Sequence, residues 1–419
     1  MRLRNLAILY FLILPFFVRA SPVATIRVCK DCEVRTITQG LEAASAHDTV
    51  LIEKGTYEGV ALEIRKPVTL MGKEGAILDG KSQSYILRIL SDSVNVSGLT
   101  LINAGRSYTR DYAAIYLSRV KHFSIINNVI RDPFFGILIE KSHKGIISGN
   151  LVTSNRIRED DSGNGVHAWH CSGLTIRNNE LSGLRDGIYL EFVEQSSIED
   201  NNSHNNIRYG LHFMFSNHDK YLRNIFRENG AGVAVMFSKF IEMKENRFVQ
   251  NWGTASYGLL LKEIYDAEVE GNTFHENTIG IFIEGSTRIN YTGNHLERNG
   301  WAIKVSGGCY LNIFSANNFL SNSFDVSYNT KMNDNRFEGN YWSGYSGYDI
   351  DKDGVGDVPY RPVKLFSYIV NKTPENIILL RSLFVDIINF SEKVSPVFTP
   401  DDLIDNTPAM KRLDYDQNR

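Results

Sequence analysis

The sequence lacks a surplus of either charge. Its 419 residues carry 45 Lys+Arg against 48 Asp+Glu, a formal net charge of −3. There is no basic excess to hold nucleic acid, and no acidic tail. After residue 18 no apolar run is long enough to cross a bilayer, which needs about 20 residues. Proline is scarce, at 10, while glycine reaches 33. Many Gly and few Pro in an Asn-rich chain suggest tight turns between short strands. Disorder is excluded by 42% hydrophobic and 22% charged residues. The length alone suggests two or three domains, unless the chain is a repeat protein that grows as one long unit.

The first twenty residues read as an address. Arg2 and Arg4 precede an apolar run from Leu6 to Val18, and Val18-Arg19-Ala20 offers small residues before Ser21. This is a secretory signal peptide over 1–20, cleaved near Ala20-Ser21; an uncleaved anchor would need a longer run. The mature protein is thus expected outside the cytoplasm. Only four cysteines are present. Cys29-Lys-Asp-Cys32 reads as a local disulfide in an exported protein, ahead of a soft-metal or redox site, because no βαβ pattern supports thioredoxin-like chemistry. Cys171 and Cys309 read as small buried residues.

A repeat governs the chain. Gly or Ala followed by alternating apolar residues recurs at Ala114, Gly136, Gly165, Gly187, Gly210, Gly232, Gly258, Gly280 and Ala302, mostly 22 residues apart. A second marker keeps step: Asn128, Asn150, Asn179, Asn202, Asn224, Asn246, Asn272, Asn294, Asn318 and Asn340. The longer steps coincide in both series and mark insertions near residues 156–164 and 251–257. The leucine-rich frame and its helical half are missing. A parallel β-helix over 21–345 is expected, an all-β fold with Asn and Gly in the turns and one Asn per coil stacked in an amide ladder.

Counting from the lead Gly, positions +1 and +3 are apolar and face the core, so +2 and +4 face outward. This aligns Met214 beside Met236, with Glu191 on the other side of Met214. His212 lies on the same strand, and His167 two coils away. Thioether with imidazole suits Cu(I). The same stripe also fits an interface covered by a partner, or a carbohydrate surface built on Trp169, Tyr189 and Phe282. Downstream, Asp349, Asp351, Asp353, Val355 and Asp357 match positions 1, 3, 5, 7 and 9 of a calcium loop, although position 12 is Tyr360. Residues 346–364 are therefore expected to be an acidic, Ca²⁺-binding cap. Residues 365–419 read as a helical and extended docking tail, with a helix starting at Thr373-Pro374-Glu375 and apolar residues Ile377, Leu380, Phe384, Ile387 and Ile388 at helical spacing.

These residues resemble the NosD family of periplasmic β-helix proteins. The resemblance rests on the Asn340–Tyr360 segment, the paired Gly210-Leu-His-Phe-Met-Phe-Ser216 and Gly232-Val-Ala-Val-Met-Phe-Ser238, and the Thr407-Pro-Ala-Met-Lys-Arg412 end. It implies a non-enzymatic role in nitrous oxide reductase maturation during denitrification, with Cu(I) in transit. It also implies a copper chaperone as donor, the reductase as acceptor, and an ABC transporter (ATPase and permease) as the membrane link. The copper candidates remain His212, Met214, Met236, His167 and Glu191. The competing reading is a periplasmic polysaccharide lyase, hydrolase or epimerase, which needs an acid/base set in one cleft. Glu140, Glu191 and Glu284 face outward but are scattered.

Overall fold

The computed structural model describes residues 23–107, 109–155, 157–329, 334–394 and 403–414. The signal peptide of the sequence reading lies outside these residues. The chain winds as a parallel solenoid. Each coil contributes one strand to each of three sheets, of 14, 12 and 13 strands. The strands run from Thr25 to Trp342. Among the described residues, no helix is long and apolar enough to cross a membrane.

The coil period follows from its turns. Ten inward-facing asparagines form a continuous ladder. Asn128 donates its backbone N–H and its Nδ2 to Asn150 Oδ1, at 3.1 and 3.0 Å, and its Nδ2 also reaches the Val96 carbonyl. Each amide is thus satisfied inside a dry core. At two coils the ladder residue is Asn201 or Asn317, not the expected Asn202 or Asn318. Nor is the ladder Asn itself left-handed. The residue before it is, as at Asn127, Asp200 and Ala316, with φ of 53°, 53° and 52°. That residue turns the chain so that the amide points inward. A second ladder, Asn206–Asn229–Asn251–Asn277–Asn299–Asn322, lines another corner. The lead glycine is required by close approach: a Cβ on Gly165 would lie 2.6 Å from the Gly187 carbonyl oxygen.

Both ends are covered. At the start, α1 (Ile37–Ala43) buries Ile37 and Leu41, and Thr36 and Gln39 form a reciprocal cap. Cys29 and Cys32 are joined by a disulfide, and Cys171 and Cys309 are buried thiols. At the other end, α2 (Leu365–Lys372) lays Phe366 and Val370 against Phe324 of the last coils, together with Val385 of α3 (Leu383–Val394).

The helix expected from Thr373 is interrupted: only a 3₁₀ segment starts there, and Phe384, Ile387 and Ile388 of the expected apolar series lie on α3. Thr373 ends α2, because Pro374 disfavours helical backbone at the residue before it, and Pro374–Leu379 forms only a 3₁₀ segment. Nor is the whole of 365–419 a free tail. Residues 403–414 return to the solenoid as a strap. Asp405 Oδ2 accepts from Asn340 N–H, Asn340 Nδ2 and Trp342 Nε1 at 3.0–3.1 Å, closing the Asn ladder. Asn318 and Leu413 exchange two further bonds.

Candidate functional site

The twelve-stranded sheet carries the candidate copper residues on its outer face. Register sets their neighbours. Met214 pairs directly with Met236, Glu191 with Met214, and Met236 with Lys262. Inward positions such as Ile188 and Leu190 are wholly buried, as the alternation requires.

Outward does not mean exposed, however. Leu138, Ala234, Leu260 and His212 are all buried. Bulky residues from the corner before the sheet fold over this face. Phe134 and Phe135 cover Leu138, while Tyr209 and Tyr257 cover Ala234 and Leu260. The outer face therefore has its own thin apolar layer, which two-residue alternation does not reveal.

His212 is the most constrained of the five candidates. Its ring lies between Tyr189 and Tyr209, at centroid distances of 5.0 and 4.8 Å. It is 7% exposed, and neither ring nitrogen has a hydrogen-bond partner. Burial, helped by the positive charges of Arg208 and Arg185, pushes it down to about 4. At neutral pH it is an unprotonated imidazole with a lone pair facing no donor, the form that binds a metal. Met214, two residues on along the same strand, and Met236, opposite Met214 on the next strand, are half-buried.

His167 is a different case. Its Nδ1 lies 3.2 Å from Asn164 Nδ2, and the Tyr189 ring stands between it and His212. The structure does not bring it to the methionines. Burial likewise pushes it down to about 4. Glu191 lies next to Met214 and accepts from the Tyr189 hydroxyl at 3.4 Å.

One further feature adjoins the methionines. The residue after each outward +4 position turns out of the sheet, giving a stack of His170, Phe192, Phe215 and Phe237 with ring centroids 4.6–5.2 Å apart. Their rings stack on one another, so edges rather than faces meet solvent. They wall a groove of about 870 Å³ whose other side includes Glu194, Lys239 and Tyr265. The repeated aromatic at this offset is visible in the sequence, as in Met214-Phe215 and Met236-Phe237, but the groove is not.

In the acidic loop, carboxylate oxygens of Asp349, Asp351 and Asp353 lie within 4.8 Å of one another. Gly354, at φ 88°, donates its N–H to Asp349 Oδ2 at 3.0 Å. Asp357 turns away to accept the Ile350 N–H at 2.6 Å, and Val355 pairs with Ala409 of the strap. Tyr360 packs against Trp342 and Tyr345.

Comparisons with known proteins agree with this architecture. The family described as "Periplasmic copper-binding protein (NosD)" matches residues 152–347. Two proteins named "Probable ABC transporter binding protein NosD", from Stutzerimonas stutzeri and Pseudomonas aeruginosa, are each 29% identical. The alignments cover 85% of this chain and 85% and 87% of theirs. Among solved structures, a family 28 exopolygalacturonase from Yersinia enterocolitica superposes with a TM-score of 0.55 at 10% identity, covering 78% of this chain and 80% of its own. A GH87 α-1,3-glucanase from Streptomyces thermodiastaticus gives 0.51 at 12%, over 71% and 60%. At such identities these two share the fold alone.

Proposed function

We propose that this chain, similar to the NosD family over residues 152–347 and 29% identical to two proteins of that name, is a member of it, a periplasmic copper-carrying accessory protein rather than an enzyme. Cu(I) is its cargo, received from a copper chaperone and passed to nitrous oxide reductase. Met214 and Met236 hold the ion, with His212 as third ligand and Glu191 at the margin; His167 plays no direct part.

The observation that carries this reading is the orphaned His212 imidazole on the strand whose Met214 pairs in register with Met236. Met has three flexible torsions, so two thioethers on adjacent coils can converge on one ion. No thiolate is present to hold the ion too firmly for transfer. The two relatives' printed name supports docking on an ABC transporter. The exposed side of the C-terminal helices offers a surface for its permease. In the acidic loop, Asp349, Asp351, Asp353 and the Val355 carbonyl hold a structural Ca²⁺, with Asp357 in reach through a water, as its loop position allows.

The test is Cu(I) titration of the mature protein against a competing chelator, paired with reductase maturation in cells at limiting copper. Met214→Ala/Met236→Ala should fold, bind Cu(I) at least ~10-fold more weakly and leave the reductase copper-poor. Full maturation by that variant would reduce the pair to an interface patch. Activity on uronic-acid polymers would favour the polysaccharide enzyme instead.

A further inference from the structure

The two insertions that break the coil period converge on the cover of one imidazole. His212 lies opposite Tyr189 on the preceding strand and Ala234 on the following one. Tyr257, at the end of the second insertion, packs over Ala234, and Tyr209 and Met236 pack against the same cluster. The Tyr209 ring lies 4.8 Å from the His212 ring. Arg208 Cζ stands 4.9 Å from the centroid of the Tyr209 ring. Arg208 Nη1 pairs at 3.1 Å with Glu159 Oε1, in the 3₁₀ turn Glu159–Asp161 of the first insertion. Burial, and then the neighbouring Tyr209 hydroxyl, pushes the Tyr257 hydroxyl up, so the two phenols meet.

We propose that Tyr209 is a lid over His212, latched by Tyr257 on one side and by the Arg208–Glu159 pair on the other, and that it must swing outward before an ion reaches the imidazole. The argument is one of access. Both ring nitrogens of His212 are buried and neither has a hydrogen-bond partner. A lone pair that no ion can approach is not a ligand. Tyr189 is poorly placed to move, because its ring also packs on His167 and its hydroxyl reaches Glu191. Tyr209 is the first residue of the strand Tyr209–Met214, at the corner, and is only partly buried. A change of χ1 there uncovers the imidazole without breaking a bond of the sheet.

This inference deepens the copper reading and rests on it. With the lid shut, an ion arriving from solvent meets only the half-buried thioethers of Met214 and Met236. With the lid open, the His212 lone pair joins them and tightens the hold. Met236 packs in the cluster that carries Tyr257, so drawing its sulfur onto an ion disturbs the latch. Capture and release then differ by one ligand, and the lid sets which of the two states prevails.

Access is measured without copper. The metal-free mature protein is treated with diethylpyrocarbonate, which acylates unprotonated imidazole. Mass spectrometry follows His212, with the exposed His218 as internal reference. In wild type His212 should react at least ~100-fold more slowly than His218. Tyr257→Phe keeps the ring but removes the latching hydroxyl, and should speed the reaction of His212 about 5-fold. Tyr209→Ala removes the lid and should bring His212 to within about 10-fold of His218. Circular dichroism and an unchanged rate at His218 check that both variants are folded. Equal reaction of His212 and His218 in wild type overturns the lid, as does a His212 rate that neither variant changes. In a second arm, Cu(I) uptake is timed by displacement of a chromogenic Cu(I) chelator. A slow phase is expected, faster in Tyr257→Phe and absent in His212→Phe. If acylation responds to the variants while His212→Phe leaves Cu(I) uptake unchanged, the lid stands and the copper role of His212 falls.

Discussion

In its proposed role, His212 would oppose stability while serving binding. Burying an imidazole with no partner costs about 1–3 kcal/mol. Replacing it by an apolar ring should relieve that cost. His212→Phe is therefore expected to raise the melting temperature while lowering Cu(I) affinity, both measurable on one preparation. A lower melting temperature would mean that the ring is satisfied by something else. Its protonation has a sign. The free value of 6.5 falls to about 4 on folding, so the unfolded chain binds the extra proton first. Stability should drop as pH falls from about 6.5 to about 4, and His212→Phe should flatten part of that slope. Asp219 acts in the opposite sense. Burial raises it from 3.8 to about 8, so folding becomes less favourable as pH rises across that interval. It accepts the Ser196 N–H at 2.7 Å, a bond an Asn carbonyl can also make. Asp219→Asn should stabilise the protein more at pH 8 than at pH 5 in matched thermal melts.

At the scale of elements, the ladder and its cap carry the clearest expectations. Asp405→Ala would leave Asn340 N–H and Trp342 Nε1 without an acceptor in a dry end-cap, and Asn340 Nδ2 with the Phe314 carbonyl alone. A loss of about 3 kcal/mol or more is expected, seen as a lower denaturant midpoint. Asp405→Asn should cost less, since its carbonyl can still accept. In the acidic loop, three carboxylates crowded without a cation repel one another, so Ca²⁺ should raise the melting temperature and EDTA lower it. Asp349→Asn/Asp351→Asn should abolish that response. An unchanged melt would make the loop an ordinary turn.

Much of this level was legible. The 22-residue spacing, the inward +1 and +3 positions and the Met214–Met236 pairing all follow from alternation and a constant coil length. The Asn201 and Asn317 ladder positions were hidden because each sits in an Asn-Asn pair, and only turn geometry chooses between them. The α1 signature, Thr36 with Gln39 three residues on, was present but brief. The burial of His212 was out of reach because it depends on the Tyr189 and Tyr209 rings packing against it, and alternation gives the face a residue takes but not how far neighbouring rings cover it.

On the scale of the whole molecule, the helical excursion matters most. Ile378 is 86% exposed, Leu383 74%, Phe390 67%, Phe384 56% and Ile387 55%. Side chains this exposed contribute little to the fold, so replacing Leu383, Phe384, Ile387 and Phe390 with Ser should leave the melting temperature within a few degrees. It should nonetheless abolish co-purification with the transporter, and retained co-purification would move the contact elsewhere. Truncation after Lys364 is a poorer experiment, because it also removes Asp405 and the strap.

The excursion from Leu365 to Val394 leaves the last coil and returns to it through the strap, so it is fastened to the solenoid on both sides. Continuous amide ladders and stacked rings stiffen the coils against bending, and motion imposed at the excursion passes on as rotation of a rigid rod. The Met236 strand stands four rungs from the terminal strand Phe324–Tyr328, a lever arm of ~19 Å at about 4.8 Å per rung. A small tilt of the fastened end would sweep the thioethers through an arc, so under the proposed docking a partner gripping the excursion would move Met214 and Met236 without touching them.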